Sequence, residues 1–177
     1  MVNSAARELV EQTLSAGKPV SFTVPTGSML PFLAPGDQVI VQAVNASELK
    51  VGDLIVWKAQ TTGEFQSPWI VHRLIERRRV DGESILITQG DNAPFADKPV
   101  TEMQLCGVVA SVQRRNSKQV VQMLSGRARW FGVILAMMSR ARAFVQCNMN
   151  ELAQRIVVKG LCVAQFCFGK IAREMAG

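Results

Sequence analysis

A short helical pattern and then a series of short apolar, strand-like runs occupy the first two thirds of the chain, and the pattern changes beyond residue 119. Ala5, Leu9, Val10 and Leu14 recur at helical spacing over residues 4–16, which predicts a short amphipathic helix packing its apolar face on the body, with Gly17 as its stop. Val20–Val24 alternates, and short β-rich runs bounded by turn residues follow it. Strands are predicted over Val20–Val24, Gln38–Gln42, Asp53–Trp57, Trp69–Arg79, Ser84–Thr88 and Gln104–Val112. Asp81-Gly82 stands between two of these runs, a strong hairpin signal; residues 60–67 and Gly90–Pro99 read as loops. The expected fold is mainly β, a curled antiparallel barrel-like body with a short N-terminal helix and a C-terminal helical appendage.

Beyond residue 119 the spacing becomes helical again. Trp130–Met138 is an apolar run bracketed by Arg127, Arg129, Arg140 and Arg142, and Asn150 is placed to cap a second helix carrying Leu152, Ile156, Leu161, Val163, Phe166 and Ile171. Both segments are too short and too charged to span a bilayer. They fit either a hairpin tucked onto the β-body or one docked on a membrane surface. The divisions predicted are 1–18 for the N-terminal helix, 19–118 for the β-domain and 119–177 for the tail.

Charge sharpens the same boundary. Residues 1–119 carry 12 Lys+Arg and 12 Asp+Glu, whereas residues 120–177 carry 8 and 2, so the whole net charge of +6 belongs to the tail. With the excess confined there and no tyrosine for stacking, nucleic acid is not the expected partner. An acidic partner or an anionic membrane surface, met through residues 120–177, is. Cys106, Cys147, Cys162 and Cys167 show no metal-ligand spacing and sit among apolar neighbours, so buried thiols are expected, with no metal and no cofactor. Residues 1–17 lack the apolar core of a signal peptide.

The candidate chemistry starts at Thr23-Val24-Pro25-Thr26-Gly27-Ser28-Met29-Leu30-Pro31. A hydroxyl just after a glycine, in a turn stiffened by prolines, is how a chain presents a nucleophile. Serine needs a base, a role most often filled by histidine, and the chain has one, His72. An imidazole base in turn needs a carboxylate or carbonyl to hold its tautomer. Asp91 and Asp97, both in the loop after the fifth predicted strand, are the two candidates. Asp37 and Asp53 each follow a glycine at the start of a strand, where a carboxylate caps a turn.

Taken together, Thr26-Gly27-Ser28-Met29-x-Pro31, Gly36-Asp37, Val51-Gly52-Asp53, Val71-His72-Arg73 and Gly90-Asp91-Asn92 resemble the ordered motifs of type I signal peptidases. The likeness is to the endoplasmic-reticulum and archaeal branch, which pairs serine with histidine where the bacterial branch uses lysine, and it covers residues 20 to about 110. It implies Ser28 as nucleophile, His72 as general base and Asp97 as third catalytic residue. Asp91 is implied as a supporting aspartate, and the Ser28 N–H and Thr26 hydroxyl as oxyanion donors. The implied activity is a serine endopeptidase that cleaves a leader or preprotein after small residues, in a β-barrel that receives substrate as an added strand. The family's N-terminal spanning helix has no counterpart here, so a cytoplasmic or peripherally membrane-associated protein is expected. A non-catalytic or self-cleaving regulatory module of the same fold is the alternative.

Overall fold

The computed structural model describes residues 4–59, 69–148 and 151–175. Helix α1 spans Ser4–Ser15 and ends before Gly17, whose φ of +71° is left-handed backbone that glycine adopts without a Cβ clash. Eight strands follow: β1 Val20–Thr23, β2 Gln38–Gln42, β3 Leu54–Lys58, β4 Trp69–Val80, β5 Glu83–Gln89, β6 Val100–Thr101, β7 Leu105–Gln113 and β8 Val120–Gln122. Six of them lie within one residue of a predicted run at each end. β6 and β8, at two and three residues, are too short to display an alternation. The loop expected at 60–67 lies outside the described residues.

The strands form one antiparallel sheet in the order β1-β2-β7-β3-β4-β5-β6, with β8 alongside the end of β7. Three bulges interrupt its registers, which skip Ile75 in the β4–β5 pairing, Cys106 in β3–β7 and Ala110 in β2–β7. An extra residue on one strand bends it and raises the local twist, and the sheet curls into a half-barrel. β3 lies near the middle of the sheet and is buried on both faces. Leu54 and Val56 join Val39, Val41, Val109 and Val112 in a core closed by Phe32, Leu33, Phe131 and Leu135. Ile55 and Trp57 join Leu74, Leu86, Val100 and Val108 on the opposite face.

The last third is a helical hairpin, α2 Gly126–Asn148 and α3 Glu151–Met175. It packs against the body. Gly52, held at φ +100°, and Gly132 of α2 lie so close that a Cβ on Gly132 would meet the Gly52 carbonyl oxygen at 2.7 Å. Asn150, the expected cap of α3, lies outside the described residues. No helix among the described residues is long and apolar enough to cross a membrane.

Two expectations are corrected. On α1 the packed face is centred on Val10 and Leu14, while Ala5 and Leu9 are exposed, because Val10 and Leu14, not Leu9, turn toward the sheet. The thiols are not uniformly buried. Cys106 and Cys162 are partly exposed and Cys167 is exposed, since helical phase carries Cys167 to the side of α3 opposite the buried Gln165, Gly169 and Ala172. The Cys147 side chain lies outside the described residues.

Candidate active site

Ser28 lies in the loop between β1 and β2, and the residues after it hold it down. Met29, Phe32 and Leu33 are fully buried in the main core, so the turn bearing the hydroxyl is pinned from below while Ser28 itself stays accessible. The Leu30-Pro31 peptide is cis. At its base the loop closes on itself through Val24 N–H to Asp37 O and Gly36 N–H to Val24 O, both 2.8 Å.

Asp37 closes the loop as a cap, in keeping with its expected turn-capping place. Its carboxylate accepts the N–H groups of Ala34 and Arg115, each at 3.0 Å, and the Arg173 guanidinium at 2.8 Å. Burial works against its ionisation, but the Arg173 hydrogen bond, the two backbone donors and the Arg173 charge outweigh that and hold the carboxyl below its ordinary range. Asp53 caps the turn before β3 by accepting Lys50 N–H at 2.8 Å. There burial wins over that bond and the Arg129 charge, and the carboxyl is pushed up.

His72 sits on β4 opposite Ile55 of β3. Its Nε2 is 3.2 Å from Ser28 Oγ and its Nδ1 is 2.6 Å from Asp97 Oδ2. A carboxylate only accepts, so Nδ1 carries the proton toward Asp97 and Nε2 presents its lone pair to the serine hydroxyl. Asp97 is itself held. The Thr88 hydroxyl donates to the same Oδ2 at 2.7 Å, and Asp97 N–H donates to Thr88 O at 2.8 Å. Thr26 Oγ1 lies 3.3 Å from Ser28 Oγ, on the same side of the loop.

Asp91 does something else. It takes a two-pronged ion pair from Arg73, Nε to Oδ1 at 2.8 Å and one terminal nitrogen to Oδ2 at 2.6 Å. Both side chains are buried. The other terminal nitrogen of Arg73 donates to Gly52 O at 2.9 Å, and its guanidinium carbon stands 4.9 Å from the centre of the Phe32 ring. One arginine therefore ties the loop after β5, the turn before β3 and the underside of the serine loop together. Next to Asp91, Asn92 N–H donates to Ser28 O at 2.8 Å. A Cβ on Gly90 would stand 2.7 Å from that same oxygen and 3.0 Å from His72 Nε2, so the approach of the two loops requires glycine there.

The hairpin reaches the same loops. Arg142 of α2, buried to within 2% of its surface, donates to Ala93 O at 2.7 Å, and Arg173 of α3 donates to Phe32 O at 3.0 Å. Between α3 and the 91–94 stretch lies a cavity of about 330 Å³ lined by Asn92, Arg142, Val163 and Phe166.

Four of the five residues singled out from the sequence, Ser28, His72, Asp97 and Thr26, thus meet at one point, and Asp91 stands behind it, paired with Arg73 and not in the Ser–His–Asp line. Thr88, Gly90, Arg73 and Arg142 were not assigned roles by sequence reasoning. The Gly-Asp-Asn and His-Arg motifs carried a signal for Gly90 and Arg73. Thr88 and Arg142 had none, because their partners are set by strand register and by helix packing. Comparison with protein-family models, with curated proteins and with solved structures returned no match.

Proposed function

We propose that this chain is a serine endopeptidase working through Ser28, His72 and Asp97. The observation that carries the reading is the unbroken line from hydroxyl to imidazole to carboxylate, at 3.2 and 2.6 Å. In the reaction, Ser28 Oγ attacks the scissile carbonyl carbon and its proton passes to His72 Nε2. Asp97 holds the ring and stabilises the imidazolium. The oxygen of the tetrahedral intermediate takes hydrogen bonds from the Ser28 N–H and the Thr26 hydroxyl, each contributing about 3 kcal/mol to the transition state. His72 then gives its proton to the departing amine as the C–N bond breaks. A water, activated by the same ring, releases the acyl group and restores the serine.

The motif resemblance and the half-barrel sheet support the finer reading that this is a signal-peptidase fold of the serine–histidine type. Its substrate is a leader or signal-type peptide with small residues before the cleaved bond. The peptide would lie extended beside the Val24 end of β1 and the first residues of β4. β5 pairs with β4 only from Arg73 onward. Incubation of the purified chain with a quenched peptide bearing alanines before the bond tests the proposal. Turnover should fall to background, on the order of 10⁴-fold or more, in Ser28→Ala and in His72→Ala, with unfolding transitions unchanged. Turnover by Ser28→Ala at the parent rate would end it. Intact mass after long incubation distinguishes cleavage of the chain itself from cleavage of added peptide.

A further inference from the structure

The outer face of a surface helix is ordinarily charged or polar, and the outer faces of α2 and α3 carry large apolar side chains among their charges. Each helix sorts its residues cleanly by angle. On α2, Ala128, Phe131, Leu135 and Ser139 are buried, whereas Trp130, Val133, Met137 and Ala141 fall on the opposite side and are exposed. On α3, Gln165, Gly169 and Ala172 are buried, while Ile156, Val163, Phe166 and Ile171 are exposed, Val163 and Phe166 bordering the cavity beside Asn92. Trp130 and Ile156 are each 68% exposed and Val163 64%. Large apolar side chains left in water along two packed helices need an occupant.

Charge selects which one. Among the described residues, the cations on these outward sectors are Arg127 on α2, and Lys159 and Lys170 on α3, one turn to either side of Val163 and Phe166. Among the described residues of the two helices, Glu174 at the end of α3 is the one acid exposed there. A second copy of the chain seated on this face would bring like charges together. A bilayer with anionic headgroups satisfies both features, accepting the apolar side chains below the headgroups and the lysines and arginines among them. Trp130 has the amphipathic ring that such an interface favours.

We infer that the outward face of the α2–α3 hairpin is a docking surface for an anionic membrane, on which the helices lie parallel to the bilayer plane. This inference is independent of the chemistry at Ser28. Because Arg142 and Arg173 bind the loops at Ala93 and Phe32, docking would hold those loops at a fixed height above the lipid.

The test is flotation of the full chain with vesicles of phosphatidylcholine alone and of phosphatidylcholine mixed with phosphatidylglycerol, together with tryptophan emission. The chain should float with the anionic vesicles, less so at high salt, and its emission should move to the blue. Trp130→Phe should remove that shift while binding persists. Lys159→Glu combined with Lys170→Glu should weaken partition about tenfold or more, and quenching of the unaltered protein by brominated lipid reports the same insertion without any substitution. No flotation with either vesicle overturns the inference, as does binding without change at Trp130 or indifference to the lysine reversals. Self-association in the absence of lipid that shields Trp130 would assign the face to a second copy and overturn it as well.

Discussion

The loop after β5 carries an aspartate at each end, and the two ends of this one segment are put to different use. At the near end Asp91 is buried, with both oxygens paired to Arg73. At the far end Asp97 keeps 19% of its side chain exposed and divides one oxygen between His72 and Thr88. A buried pair with every polar atom engaged can only hold things in place. A carboxylate with one oxygen on an imidazole that reaches a hydroxyl can orient that ring and stabilise its charged form. The same residue type, six positions apart, is made a brace or an acceptor by its surroundings.

Substitutions can break that contrast, beginning with the largest effect. Asp97→Asn keeps the shape and an acceptor for Thr88 but offers His72 the wrong hydrogen-bonding partner. Under the proposed mechanism the turnover of a quenched peptide should fall about 10⁴-fold, with the denaturation midpoint nearly unmoved. Were Asp97→Asn instead to lower the denaturation midpoint while sparing turnover, the two aspartates would have exchanged roles. Arg73→Met probes the other end. It leaves Asp91 as an uncompensated buried charge, and urea unfolding should show a loss of about 3–5 kcal/mol; equal stability of the variant would remove Arg73 as the tie between the three segments.

Asp37 sharpens the comparison at a smaller scale, because it braces as Asp91 does but its titration is displaced in a known direction. Its folded carboxyl lies below the ordinary value of 3.8, so the stability it contributes is present above that value and is lost as pH falls through the lower, folded one. Asp53, displaced upward, works in the opposite sense on acidification. Asp37→Asn should therefore cost about 1–3 kcal/mol at neutral pH. The gap to the parent protein should narrow as unfolding is measured at successively lower pH below 3.8. A gap that widens on acidification would reverse the sign argued for Arg173 and the two backbone donors.

Much of the body was legible in the chain because runs of β-branched and apolar residues bounded by turn residues mark any strand long enough to show them. β4, twelve residues long, is unmistakable; β6, with two, leaves no pattern. Helical phase was legible on α3 but misassigned on α1, where Leu9 and Val10 are neighbours and the face that wins depends on what the sheet offers to cover. Ser28 and His72 stood out by type and setting. Asp91 and Asp97 did not separate on residues alone, since both follow the same strand and either could reach a histidine.

Strand periodicity, the break near residue 119 and the confinement of excess positive charge to the tail are local properties, written in the order of side chains and readable without coordinates. Which aspartate meets the imidazole is a long-range property. It depends on Arg73 and His72 being adjacent on β4 and therefore facing opposite sides of a strand, so that the one captures Asp91 from beneath and leaves the other free to meet Asp97. That the tail's helices brace the loops at Ala93 and Phe32, while turning Trp130 and Val163 outward, follows likewise from packing between segments far apart in the chain, and no local pattern encodes it.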